Sequence, residues 1–124
     1  MVLVDTSVWI DHLARGNSRL AQLLDNGMVI CHPFVIGELA CGRLRNRMEV
    51  LALLAALPQA PVADHEEVLR LIDQHSFFGR GLGWVDVHLL GSTLLAASAL
   101  WTLDKALNQA AGVLRVSDED EKAR

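Results

Sequence analysis

Short aliphatic runs alternate with stretches of helical periodicity along this chain, and that alternation constrains its fold more than any other feature. Val2-Leu3-Val4, Met28-Val29-Ile30 and Ala99 to Thr102 are strand-like, with Pro61-Val62-Ala63 a weaker candidate and Val113-Leu114 a short last one. Between them, Val8, Ile10 and Leu13 mark a helix broken at Gly16-Asn17-Ser18, and Leu20, Leu23 and Leu24 mark a second that ends at Asn26-Gly27. Thr6 and Ser7 are candidate caps for the first of these. His32-Pro33 opens a third helix, since proline is tolerated at the first helical position, and Val35, Glu38, Leu39 and Gly42 follow on one face. Further helices are expected over Arg47 to Leu57, Glu66 to His75, Trp84 to Ala97 and Asp104 to Ala111. Strands alternating with helices imply an α/β fold, a central parallel β-sheet flanked by helices on both faces.

A chain of 124 residues builds one core, so any site must be assembled within a single domain, taken here as residues 1–116 with a charged, flexible C-terminal tail over 117–124. The composition is 52% apolar but only 5% aromatic, with no tyrosine, which predicts a core of Leu, Ala and Val. No apolar run approaches the roughly 20 residues that span a bilayer, and the N-terminus lacks a basic leader, so a cytoplasmic protein is expected. Cys31 and Cys41 sit in apolar contexts without metal-ligand spacing and read as reduced core thiols. No glycine-rich phosphate loop is present: Gly79 to Gly83 follows a helix, where a dinucleotide loop would follow a strand.

The informative residues are acidic. Asp5 and Asp104 each fall just past a strand, at the carboxyl edge where open parallel sheets bind ligands. Glu38 and Asp86 lie on the inward faces of their helices, where an unpaired carboxylate is costly. Two carboxylates about 4 Å apart repel by roughly 4 kcal/mol at an effective dielectric of about 20, so four in one pocket need protons or a cation. Oxygen ligands alone select hard ions, Mg²⁺ or Mn²⁺, and Mg²⁺ characteristically recruits phosphate oxygens. The net charge of −4 weighs against a nucleic-acid partner until its distribution is considered. The tail from Asp118 holds four acids against two bases, and the four acids above share one pocket, so the remaining body is net basic. Arg43, Arg45 and Arg47 concentrate that charge and suit RNA phosphates or an acidic protein segment.

Taken in order, these segments resemble a known family. Leu3-Val4-Asp5-Thr6-Ser7-Val8-Trp9-Ile10 is similar to the opening of PIN-domain toxins of the VapC kind. The segments around Glu38 (Val35 to Gly42), Asp86 (Trp84 to Leu90) and Asp104 (Leu100 to Lys105) match in order, over residues 2 to 116. The resemblance implies a Mg²⁺- or Mn²⁺-dependent endoribonuclease, the toxin of a toxin–antitoxin pair, that cleaves single-stranded RNA through a metal-activated water, forms a homodimer and is inhibited by a cognate antitoxin. It further implies Asp5, Glu38, Asp86 and Asp104 as the catalytic acids, with Asp5, Asp86 and Asp104 as metal ligands and Thr6 and Thr102 as hydroxyls behind them. An aspartyl phosphotransferase would carry a second acid where Ser7 stands, and a receiver domain would pair Asp5 with another acid. The rival that survives is a PIN-like interaction module that cuts nothing. Gly91, inside the longest helix at a cost of about 1 kcal/mol relative to alanine, departs from what a helix favours.

Overall fold

Strand β1 (Val2–Val4) is buried along its whole length, as an apolar run must be in the middle of a parallel sheet covered on both faces. The computed structural model describes residues 1–118. Along the chain follow α1 (Thr6–Arg15), α2 (Ser18–Asp25), β2 (Val29–Ile30), α3 (Pro33–Cys41), α4 (Arg47–Ala56), α5 (His65–His75), α6 (Trp84–Leu95), β3 (Ala99–Trp101) and α7 (Lys105–Val113). The strand order is β2-β1-β3, all parallel, with Leu3 opposite both Ile30 and Leu100. The α/β architecture is therefore the one that the alternation of the sequence implies. No helix among the described residues is long and apolar enough to cross a membrane.

Single bridges extend the sheet at both edges, Cys31 with Gln59 and Leu100 with Ser117. They replace two strands expected from sequence. Pro61-Val62-Ala63 forms none: pairing occurs just before it, where Cys31 N–H donates to Pro58 and Ala60 N–H donates to Cys31, and the ladder stops at Pro61, which has no N–H to give. Val113-Leu114 is also not a strand, because α7 runs through Val113 and closes at Arg115 in a left-handed conformation (φ 59°). Of the charged segment from 117 onward, residues 119–124 lie outside the described residues. Ser117 and Asp118 are buried, and Asp118 accepts a forked ion pair from Arg19, whose guanidinium stacks 4.3 Å over the Trp101 ring.

Local chemistry explains where the helices start. α5 opens with a reciprocal capping box between Asp64 and Glu67. In α3, Pro33 takes the first position and the His32 ring, fully buried, accepts the Phe34 N–H at Nδ1 while Nε2 meets Ser92 Oγ of α6 at 2.9 Å. Gly91 now has a reason. A Cβ there would sit 3.3 Å from Cβ of Ala63, so the missing side chain lets the strand-like segment before α5 lie against α6. Of the two cysteines, Cys31 is a core thiol whose ionisation burial pushes up to about 11, whereas Cys41 is exposed at the end of α3, a correction to its reading as a core residue.

Candidate active site

Three of the four acids stand at element ends, and Glu38 lies within α3. Asp5 follows β1 directly, and its N–H donates to the Trp101 carbonyl of β3, so the ends of the two paired strands are tied together. Asp5 is 6% exposed, and its Oδ2 accepts two hydroxyl protons, from Ser7 Oγ and from Thr102 Oγ1, each at 2.7 Å. With both protons committed there, the 3.3 Å approach of Ser7 Oγ to Thr102 Oγ1 is contact without a donated proton. The same two hydroxyl oxygens also accept, Ser7 from Leu103 N–H and Thr102 from Asp104 N–H, both at 3.0 Å. A closed network thus holds the turn after β3 against the start of α1. Thr6 and Ser7 are therefore not caps of α1; Asp5 occupies that position and makes no capping bond.

The other three acids are each held by a local donor. Glu38 is exposed on α3, a correction to its expected inward placement, and accepts from Thr6 Oγ1 at 2.7 Å. Asp86 turns back to the start of its own helix and accepts Gly83 N–H at 2.8 Å. Asp104 caps α7, accepting Leu107 N–H at 2.8 Å. These bonds use one oxygen of each carboxylate, Asp5 included, and leave the other without a donor among the described residues. So placed, no three His, Cys, Asp or Glu side chains among the described residues are grouped closely enough to hold an ion.

The four acids nevertheless share one electrostatic environment. The Asp86 carboxyl is held above the ordinary carboxylate range, first by desolvation in its half-buried position and then by the negative charges of Asp5, Asp104 and Glu38, against the opposing bond from Gly83. No lysine, arginine or histidine forms an ion pair with any of the four among the described residues. Chemically, this is a set of hard oxygen donors with uncompensated charge, a fit for a divalent cation of the Mg²⁺ class.

The remaining sequence candidates fall outside this cluster. Arg43, Arg45 and Arg47 are exposed, Arg43 and Arg45 in the α3–α4 connection, where they border a groove with Ile10, Leu13, Ala14 and Leu44, and Arg47 at the start of α4, where it donates to the Ala40 carbonyl. His88 is buried. Sequence reasoning did not find the row of rings that it belongs to: His32, Phe34, His88, Trp84 and His65 contact one another in that order, with centroids 4.8 to 5.1 Å apart. The i,i+4 spacing of Trp84 and His88 was the available signal, but the partners across helices are not encoded locally.

Comparison with known proteins identifies the family. The family model described as "PIN domain" matches residues 2–113. Ribonuclease VapC32 of Mycobacterium tuberculosis, in two strains, is 54% identical over 111 residues, covering 89% of this chain and 90% of the relative. Among solved structures, FitAcB from Neisseria gonorrhoeae superposes with a TM-score of 0.59 at 21% identity, over 90% of this chain and 94% of that one. PAE2754 from Pyrobaculum aerophilum gives 0.57 at 19%, over 88% and 78%. These last two likenesses speak for the fold alone. With a family model spanning almost the whole sequence and a relative identical at more than half of the aligned positions, the chain belongs to the PIN-domain family, in its VapC branch.

Proposed function

We propose that this protein is an endoribonuclease that hydrolyses RNA phosphodiesters with a divalent cation, Mg²⁺ or Mn²⁺, as the toxin of a toxin–antitoxin pair. The observation that carries the reading is that Asp5 and Asp104 follow the ends of the paired strands β1 and β3 near Asp86, whose carboxyl is pushed upward by desolvation and by the charges of Asp5, Asp104 and Glu38. The similar protein named a ribonuclease supports RNA as the substrate class. Asp5, Asp86 and Asp104 would hold the cation, with Glu38 completing the acidic set. When bound, such an ion supplies Lewis acidity at a phosphate oxygen and eases deprotonation of water.

The chain's own residues do the rest. Ser7 and Thr102 fix the Asp5 carboxylate by two hydroxyl bonds, and the N–H groups of Leu103 and Asp104 hold those hydroxyls in turn. Thr6 orients Glu38, whose second oxygen stays available to take a proton from an incoming water. Ser7 is not a nucleophile, since its proton goes to Asp5 and no histidine bonds to it. Without a protein nucleophile, attack by water leaves 5′-phosphate and 3′-hydroxyl ends. Arg43, Arg45 and Arg47 offer cations to RNA phosphates or to an acidic antitoxin segment, and a two-fold homodimer would bring two such clusters onto one surface.

The deciding experiment is cleavage of single-stranded RNA with and without Mg²⁺. Wild type is expected to cut with Mg²⁺ and to stop in excess EDTA, and Asp5→Asn to lose more than about a hundredfold of the rate, since even residues behind a ligand cost 10- to 100-fold. Full activity in EDTA, or 2′,3′-cyclic phosphate ends, would refute the mechanism. No cleavage by a folded wild type that binds its partner would leave the non-catalytic interaction module.

A further inference from the structure

The geometry points to Trp84 as a stacking platform for an unpaired RNA base beside the acidic cluster, an inference that rests on the nuclease reading above. Trp84 is the first residue of α6, two positions before Asp86, and is 41% exposed. Exposure alone says little. What distinguishes this indole is how it is held. His88, one helical turn on and 5% exposed, meets it edge-on at 4.9 Å and 81°, and His65 leans against it at 5.1 Å and 51°. His88 is wedged in turn against Phe34 at 4.8 Å, and Phe34 against His32 at 5.0 Å, and the His32 ring is fixed by the Ser92 hydroxyl and the Phe34 N–H. A continuous row of rings therefore runs from the core to the surface, through the two helices that carry Glu38 and Asp86. The Trp84 ring is held between His88 and His65 before any ligand arrives, so little rotamer entropy remains to be lost on binding.

The charge distribution gives such a platform work to do. The four acids repel phosphate, and the arginine cluster lies apart from them around the start of α4, so phosphate contacts supply limited affinity near the scissile bond. Base stacking does not depend on charge and tolerates any base, and an aromatic ring contributes about 5- to 100-fold in affinity per base. A protein partner is the less favoured occupant. The residues leading into Trp84 are Gly79, Arg80, Gly81, Leu82 and Gly83, of which only Leu82 is apolar, and the ring is framed by imidazoles. An apolar protein interface would continue beyond the indole.

The test is an abasic scan. Short single-stranded oligoribonucleotides, intact or with one base removed at each position in turn, are titrated in Mg²⁺ against proteins carrying Asp5→Asn to suppress cleavage, with binding read from indole fluorescence and from anisotropy of a labelled strand. With Trp84 present, removing the base at one position should weaken binding about 5- to 100-fold. Trp84→Ala should weaken the intact strand by the same factor and become indifferent to that position, while Trp84→Phe keeps most of the sensitivity. Equal binding by Trp84→Ala, an unchanged abasic profile, or no binding of single strands at all overturns the proposal. So does an altered sedimentation state with RNA binding intact, which would assign Trp84 to a protein contact. Cleavage by the wild type is scored separately: a protein that stacks RNA on Trp84 and never cuts it sinks the nuclease reading and leaves the platform standing.

Discussion

Asp86 carries the sharpest conflict between stability and chemistry of any single residue here. Its ionised form is disfavoured by desolvation and by three neighbouring carboxylates. A carboxyl with a raised folded pKa stabilises the protein at low pH, and that contribution is lost as pH rises through the folded value, so at neutral pH the charge on Asp86 opposes folding. Asp86→Asn keeps an oxygen for the Gly83 N–H and removes the charge. In EDTA at pH 7 it is expected to melt a few degrees above wild type and to cut no RNA. Added Mg²⁺ should raise the wild-type melting temperature and leave the variant where it was. A variant that melts lower than wild type in EDTA, or still responds to Mg²⁺, would remove Asp86 from the proposed metal site.

At the scale of elements, the contact between α3 and α6 is held by a buried histidine. Burial, and the nearby His88, push the His32 pKa down to about 4, so the ring is neutral and its Nδ1 can accept the Phe34 N–H. Unfolded, it titrates near the ordinary value of about 6.5. Between these limits the unfolded chain binds the extra proton, so stability is complete above about pH 6.5 and falls with acidification by up to roughly 1.4 kcal/mol per unit until about pH 4. Denaturant melts from pH 7 to 4.5 should show that slope, and His32→Asn should flatten it; identical slopes would mean that other groups control the acid limb. α5 and α6 meet differently, through the absence of a side chain. Gly91→Leu should cost about 1–3 kcal/mol in the same melts, because the Ala63 segment has to move. An unchanged midpoint would mean that this contact is slack. The requirement at Gly91 could not be read from a helix that otherwise disfavours glycine, because the reason lies some 28 positions earlier in the chain, at Ala63.

For the whole molecule, the proposal is that two copies associate and that an antitoxin silences them. Sedimentation at tens of micromolar is expected to give a dimer, and a single monomeric species would end that part of the reading. If the antitoxin places an arginine or lysine among Asp5, Glu38, Asp86 and Asp104, it replaces the charge of the metal. Inhibition would then weaken as Mg²⁺ is raised, and inhibition indifferent to Mg²⁺ would exclude that mode.

The fold class was open to sequence because it depends on local periodicity. β1 is an unbroken apolar triplet, α3 begins where Pro33 permits, and Asp5, Asp86 and Asp104 stand where strands stop or helices start. Edges were less legible. One extra strand was expected at Pro61 to Ala63 and another at Val113-Leu114, whereas the chain pairs at Gln59 and Ser117, since an edge bridge depends on which N–H groups face a neighbour and not on side-chain pattern. The sequence by itself determined that Asp5, Asp86 and Asp104 fall at element ends, because hydrophobic periodicity sets those ends, whereas Glu38 stands inside α3. Only tertiary structure decided what each acid touches: that Ser7 and Thr102, 95 residues apart, share the Asp5 carboxylate, and that five rings from α3, α5 and α6 with their flanks line up into a row running from His32 through Trp84 to His65. Contacts of that range are fixed by how the layers pack, and no local preference of the chain encodes them.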